Sequence, residues 1–162
     1  MLGKRKKKLA TFCIVLFVVF VGPEIPAQDA SLQAVGALSS ANLYLTYISI
    51  GAVADSHSRQ LYSDEFAASL LTTITEITGN SISSLAQVLE TQDLDEEDTI
   101  YVKKSIDTLE VLIEQAESYK TYMEKNSPQY AEIYNSYKQI AWQQIVELLG
   151  LEQQNPSPET VK

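Results

Sequence analysis

An all-α fold, an up-down-up-down four-helix bundle behind a cleavable signal peptide, is predicted by three features of the 162-residue sequence. Four segments carry apolar residues at a spacing of three and four, the period that gathers side chains on one side of a helix. The links between them are short and contain helix start and stop residues, which makes successive helices antiparallel neighbours. No segment shows the apolar and polar alternation between hairpin turns that marks a strand.

The first 27 residues read as a signal for export. Basic residues fill positions 4 to 8, the uncharged LATFCIVLFVVFVG follows from Leu9 to Gly22, and PEIPAQDA comes next. A basic head, an apolar core of about 7 to 15 residues and a small residue at the cut form the secretory pattern. That core is shorter than the roughly 20 apolar residues that span a bilayer. Cleavage is expected after Ala27, with Ile25 and Ala27 at the positions read by the peptidase. A cut after Ala30 and an uncleaved anchor are the competing readings, and the destination is the periplasm or the exterior.

Loss of residues 1 to 27 leaves 7 basic and 20 acidic side chains, a net charge of −13. Such a surface repels nucleic acid and anionic lipid, so neither is an expected partner, and no stable membrane anchor remains after cleavage. Cys13, the one cysteine, lies in the apolar core of the signal. The mature chain therefore has no disulfide, thiolate nucleophile or thiolate metal site.

The bundle is assigned to residues 28 to 150. Its first helix, Ser31 to Ser56, has no side chain charged at neutral pH before Asp55 and ends beside His57, the single histidine. Leu43, Leu45, Tyr47, Ile48, Ile50 and Val53 point to nearly every side of its axis. A helix of this kind is either enclosed or lies against a second surface. Gln33, Ser39, Ser40, Asn42, Thr46 and Ser49 interrupt the run, which argues against a membrane span. A bundle covers about half of each helix. Tyr44, Tyr47, Ile48 and Ala52 are therefore expected to meet a partner protein or a second copy of the chain.

The second helix starts at Ser63, a good cap with Asp64 and Glu65 in the first turn. Its expected core stripe is Phe66, Leu70, Ile74, Ile77, Leu85, Val88 and Leu89, and Gly79-Asn80 is expected to bend or end it. DLDEED, residues 93 to 98, announces the third, with Asp95 as cap and a stripe of Val102, Ile106, Leu109, Ile113, Ala116 and Met123. Ser127-Pro128 opens the fourth, which runs through Tyr130, Ile133, Tyr137, Ile140, Ile145 and Leu148 to a stop at Gly150. Residues 151 to 162 have the composition of a disordered tail.

Alternating helix direction brings His57, Tyr62, Tyr119, Tyr122, Met123, Tyr130, Tyr134 and Tyr137 to one end. Tyrosine combines a large ring with a polar tip, which suits a wetted pocket or an interface. The histidine and the tyrosines form the candidate ligand or partner site. One histidine cannot supply a di-iron site or a zinc site, and Asp55-Ser56-His57 are neighbours that point apart on a helix. DLDEED lacks the glycine and the ligand at position 12 of a calcium loop. His57 with Met123 is a conceivable haem pair, though no C-x-x-C-H attachment motif is present. The expected function is that of an exported, non-catalytic interaction or ligand-binding module without a cofactor. A haem or metal carrier and an enzyme of unrecognised type are the alternatives.

Overall fold

The computed structural model describes residues 27 to 151, with side-chain burial from Leu32 onward. It is all-helical. The described residues form α1 (Ala27–Ser58), α2 (Asp64–Thr91), α3 (Glu96–Lys125) and α4 (Pro128–Leu149). The signal peptide and most of the tail assigned from sequence lie outside them. The chain divides into two units, Met1–Val35 and Gly36–Lys162, and the packing below is that of the second.

The helix ends follow local chemistry. The Ser63 hydroxyl accepts from the Phe66 amide at 3.2 Å, and the Asp95 carboxylate accepts from the Asp98 amide at 2.8 Å, so two N-caps are those expected. Ser127 makes no side-chain capping bond, and Pro128 alone sets the start of α4. Gly150 ends α4 with φ at +62°, a left-handed conformation that suits glycine. Asn126 does the same for α3 at φ +47°.

Gly79-Asn80 does not interrupt α2, which is continuous to Thr91. Hydroxyls along it turn back on the preceding turn: Thr78 donates to the Ile74 carbonyl at 2.7 Å, and Ser83 donates to that of Gly79 at 3.0 Å. A Cβ added at Gly79 would meet nothing within 4 Å. Gly79→Ala should therefore raise stability by about 1 kcal/mol, because alanine costs less backbone entropy in a helix. A denaturant midpoint that falls would show that position 79 needs glycine.

The core stripes coincide with those expected only in part. On α2 Leu85 is buried as expected, Ala67, Leu71 and Thr78 are buried beside it, and Phe66 and Ile77 are exposed. On α3 Val102, Leu109 and Ala116 are buried as expected, and Ser105, Thr108, Leu112, Gln115, Ser118 and Tyr119 join them. Ile106, Ile113 and Met123 are half-buried instead. Half of the added residues are small hydroxyl residues. Thr108 and Ser118 bond their own helix carbonyls at 2.7 and 2.9 Å, so they enter the core with their polar atoms paired.

Side-chain contacts give the relative course of the helices. Tyr101 near the start of α3 donates to the Gly36 carbonyl at 3.1 Å and lies 2.7 Å from the Ser40 hydroxyl. Tyr119 near the end of α3 donates to the Ala54 carbonyl at 2.9 Å. From Gly36 onward, α1 and α3 thus run in the same direction. Lys104 pairs with Glu147, and Tyr119 stacks on Tyr134 at 4.8 Å between centroids. Those contacts run α4 against α3.

Candidate functional site

The charge-free helix, α1, presents two opposed stripes. Ser39, Leu43, Thr46, Ile50 and Val53 are buried, separated by four, three, four and three residues. Two of the polar interruptions, Ser39 and Thr46, therefore point inward. Ser39 is satisfied by the Gly36 carbonyl at 3.0 Å and the Tyr101 hydroxyl at 3.1 Å. The outward stripe is Leu38, Ala41, Leu45, Ile48 and Ala52, all exposed.

Exposure reaches 71% at Leu38, 60% at Leu45, 45% at Ile48 and 41% at Tyr44. Tyr47 is half-buried and packs its ring against Trp142 of α4 at 5.3 Å. Trp142 is itself 40% exposed, so apolar surface continues from the α1 stripe through Tyr44 and Tyr47 onto α4. Of the four interface candidates, Tyr44, Ile48 and Ala52 face outward, and Tyr47 joins them to the next helix. Leu38, Leu45 and Trp142 belong to the same surface, though the sequence pattern assigns none of them to the interface. An evenly apolar helix gives no sign of which side its neighbours will cover.

The other candidate region lies where α1 meets α2 and where α3 ends. A cleft of about 700 Å³ is lined there by His57, Ser58, Gln60, Tyr62, Ser63, Asp64, Tyr119, Tyr122, Met123 and Asn126. Five of the eight residues expected at this end line it: His57, Tyr62, Tyr119, Tyr122 and Met123. Tyr134 instead lies behind Tyr119, buried, with its ring 4.8 Å away. Tyr130 and Tyr137 are half-buried on α4 and do not line the cleft.

His57 is held at both nitrogens. Its Nε2 lies 2.8 Å from Asp64 Oδ1, and its Nδ1 lies 3.1 Å from the Tyr119 hydroxyl. The Tyr119 hydrogen goes to the Ala54 carbonyl, so the hydroxyl oxygen is left to accept from His57. The carboxylate beside His57 is Asp64, not Asp55 two positions earlier, which pairs with Arg59 at 3.1 Å.

The order carboxylate, imidazole, hydroxyl is that of a catalytic relay, but the hydroxyl is badly placed for the part. Tyr119 is buried, and desolvation pushes its ionisation up to about 12, helped by the neighbouring Tyr134, Tyr122, Asp55 and Asp64. Its proton is committed to a backbone carbonyl and is harder to remove than that of free tyrosine. The arrangement is a tie that fastens the end of α3 to the end of α1 and to the first turn of α2. Burial raises Tyr47 and Tyr134 as well, and the Gln115 amide beside Tyr134 acts in the opposite direction.

Among the described residues, no group of three His, Cys, Asp or Glu side chains could hold a metal ion. His57 and Met123 do line one cleft, but iron could reach His57 only by displacing Asp64 or Tyr119. The carboxylates of DLDEED are exposed or half-exposed, with Asp95 used as a cap. One described segment, Leu32–Ser58 of α1 near the N-terminus, is long and apolar enough to cross a membrane by length and composition, and one third of its apolar 18-residue window is buried. Compared with protein-family models, characterised proteins and solved structures, the chain gives no match.

Proposed function

We propose that the chain is an exported, non-catalytic helical module that docks a protein partner on the outer face of α1. The observation that carries this reading is the uncharged, exposed surface formed by Leu38, Tyr44, Leu45, Ile48 and Trp142. A contiguous apolar face on a strongly acidic protein is costly to leave in water, and such faces mark interaction sites. Up-down-up-down topology over residues 28 to 150 accords with the parallel course of α1 and α3 and the reversed α4.

Export through residues 1 to 27 accounts for the basic head and apolar core of that segment. The periplasm or the exterior is then the site of action, with no stable membrane anchor after cleavage of the signal. The reading includes no catalytic step, because the one imidazole is engaged at both nitrogens by Asp64 and Tyr119. A small ligand, where one is bound, would occupy the cleft of His57, Tyr62 and Tyr122.

Expression of the full chain, recovery from the exported fraction and light scattering after size exclusion test the reading. The expected result is a mass above that of one chain, with binding of an apolar dye in place of the partner once the partner is stripped. A monomer that binds no dye would count decisively against it.

A further inference from the structure

Resting on that reading, we infer that the partner of the α1 face is a second copy of this chain, packed antiparallel through Leu38, Ala41, Leu45, Ile48 and Ala52. The spacing of these exposed residues is three, four, three, four. That is the 3.5-residue period of a seam between two supercoiled helices, and the intramolecular core uses a different stripe of α1. The fold thus leaves a second helix-pairing seam open to solvent.

Charge beside the seam admits a second copy. The residues flanking the seam, Asn42, Tyr44, Ser49 and Gly51, carry no charge, so nothing beside it favours an oppositely charged helix or repels an identical one. Along α2 two copies would repel. Helix α2 carries Asp64, Glu65, Glu76 and Glu90 with no lysine or arginine, and the whole chain has a net charge of −9. The α1 face is where two acidic copies can approach without opposing carboxylates.

Direction follows from Asp55, which continues the stripe one step beyond Ala52 and is exposed. A parallel pair would set one Asp55 against the other. An antiparallel pair separates them and places Ala41 of each copy against Leu45 of the other, with Leu38 against Ile48. Large residues then meet small ones at the centre, which lets the two helices approach closely.

Disulfide trapping in the full chain carrying Cys13→Ser tests both parts of the inference. In an antiparallel pair the double variant Ala41→Cys/Leu45→Cys brings thiols of the two copies face to face, within the reach of a disulfide. Ala52→Cys holds its thiols about 27 Å apart, from a rise of 1.5 Å per residue. Brief oxidation should therefore give covalent dimer with the double variant and not with Ala52→Cys. Leu45→Lys in the cysteine-free chain should raise the dimer dissociation constant at least tenfold with an unchanged circular dichroism spectrum.

Ready crosslinking of Ala52→Cys would overturn the antiparallel direction. Absence of crosslinking, with a monomer mass at every concentration, would overturn self-association. If that monomer retained a different protein released by Leu45→Lys, the docking face would survive and the second copy would not. If Leu45→Lys changed neither mass nor binding, the docking reading itself would fall.

Discussion

Replacing Gln115 with methionine should stabilise the protein by roughly 1–3 kcal/mol, the range for a buried polar group left without a partner. The sign is the informative part, because most core substitutions destabilise. Gln115 is fully buried in the middle of α3, and neither amide atom has a hydrogen-bond partner. It lies beside Tyr134, whose ionisation it influences, without closing a well-formed bond. Methionine keeps the length and flexibility of the side chain and removes both orphaned polar atoms. The measurement is the urea midpoint at neutral pH. A midpoint that stays or falls would mean that the amide is paired in solution, by an enclosed water or by the Tyr134 hydroxyl.

Alkaline pH should weaken the fold in a window set by Tyr119. The folded protein holds the Tyr119 proton up to about pH 12, against a usual value of 10.0. Between those values the unfolded chain has lost the proton and the folded chain keeps it, so raising the pH favours unfolding. Below pH 10 both states are protonated and the group adds no pH dependence. The expected loss is roughly 1–3 kcal/mol across the window, since one pKa unit corresponds to about 1.4 kcal/mol. Tyr134 and Tyr47 shift in the same direction and add to it. Urea midpoints between pH 9 and 12 for the natural chain and for Tyr119→Phe isolate the contribution. The phenylalanine variant should show a shallower decline, and parallel curves for the two proteins would refute the assignment. Absorbance at 295 nm should show at least one tyrosine ionising after the rest.

These two residues also show where sequence reading stopped. Tyr119 was legible as one of a group of aromatic residues near a bundle end, because helix direction and spacing are local properties. Its role as the tie between His57 and the Ala54 carbonyl was not, since both partners lie more than 60 positions earlier in the chain. Gln115 gave no signal at all: the single glutamine of a charged helix has the same local environment whether it faces water or the core. The same limit displaced the stripe on α2. Phe66 and Ile77 look like core by hydrophobicity, yet Ala67 and Thr78, whose small side chains allow close helix packing, occupy the buried line with Leu71 and Leu85.

What the sequence determined alone is the helical class and the helix ends. Periodicity of 3.6, caps at Ser63 and Asp95, proline at 128 and glycine at 150 act within one or two turns and need no tertiary partner. It also set the absence of charge from Ser31 to Ala54. Only the tertiary structure decided which side of that helix is covered. Leu43, Thr46 and Ile50 face the core and Leu38, Leu45 and Ile48 face water, a choice made by where α3 and α4 place Tyr101, Tyr119 and Trp142. Helix α3, charged in sequence, supplies more of the buried core than α1. Burial is a property of neighbours, and the neighbours of α1 come from distant parts of the chain.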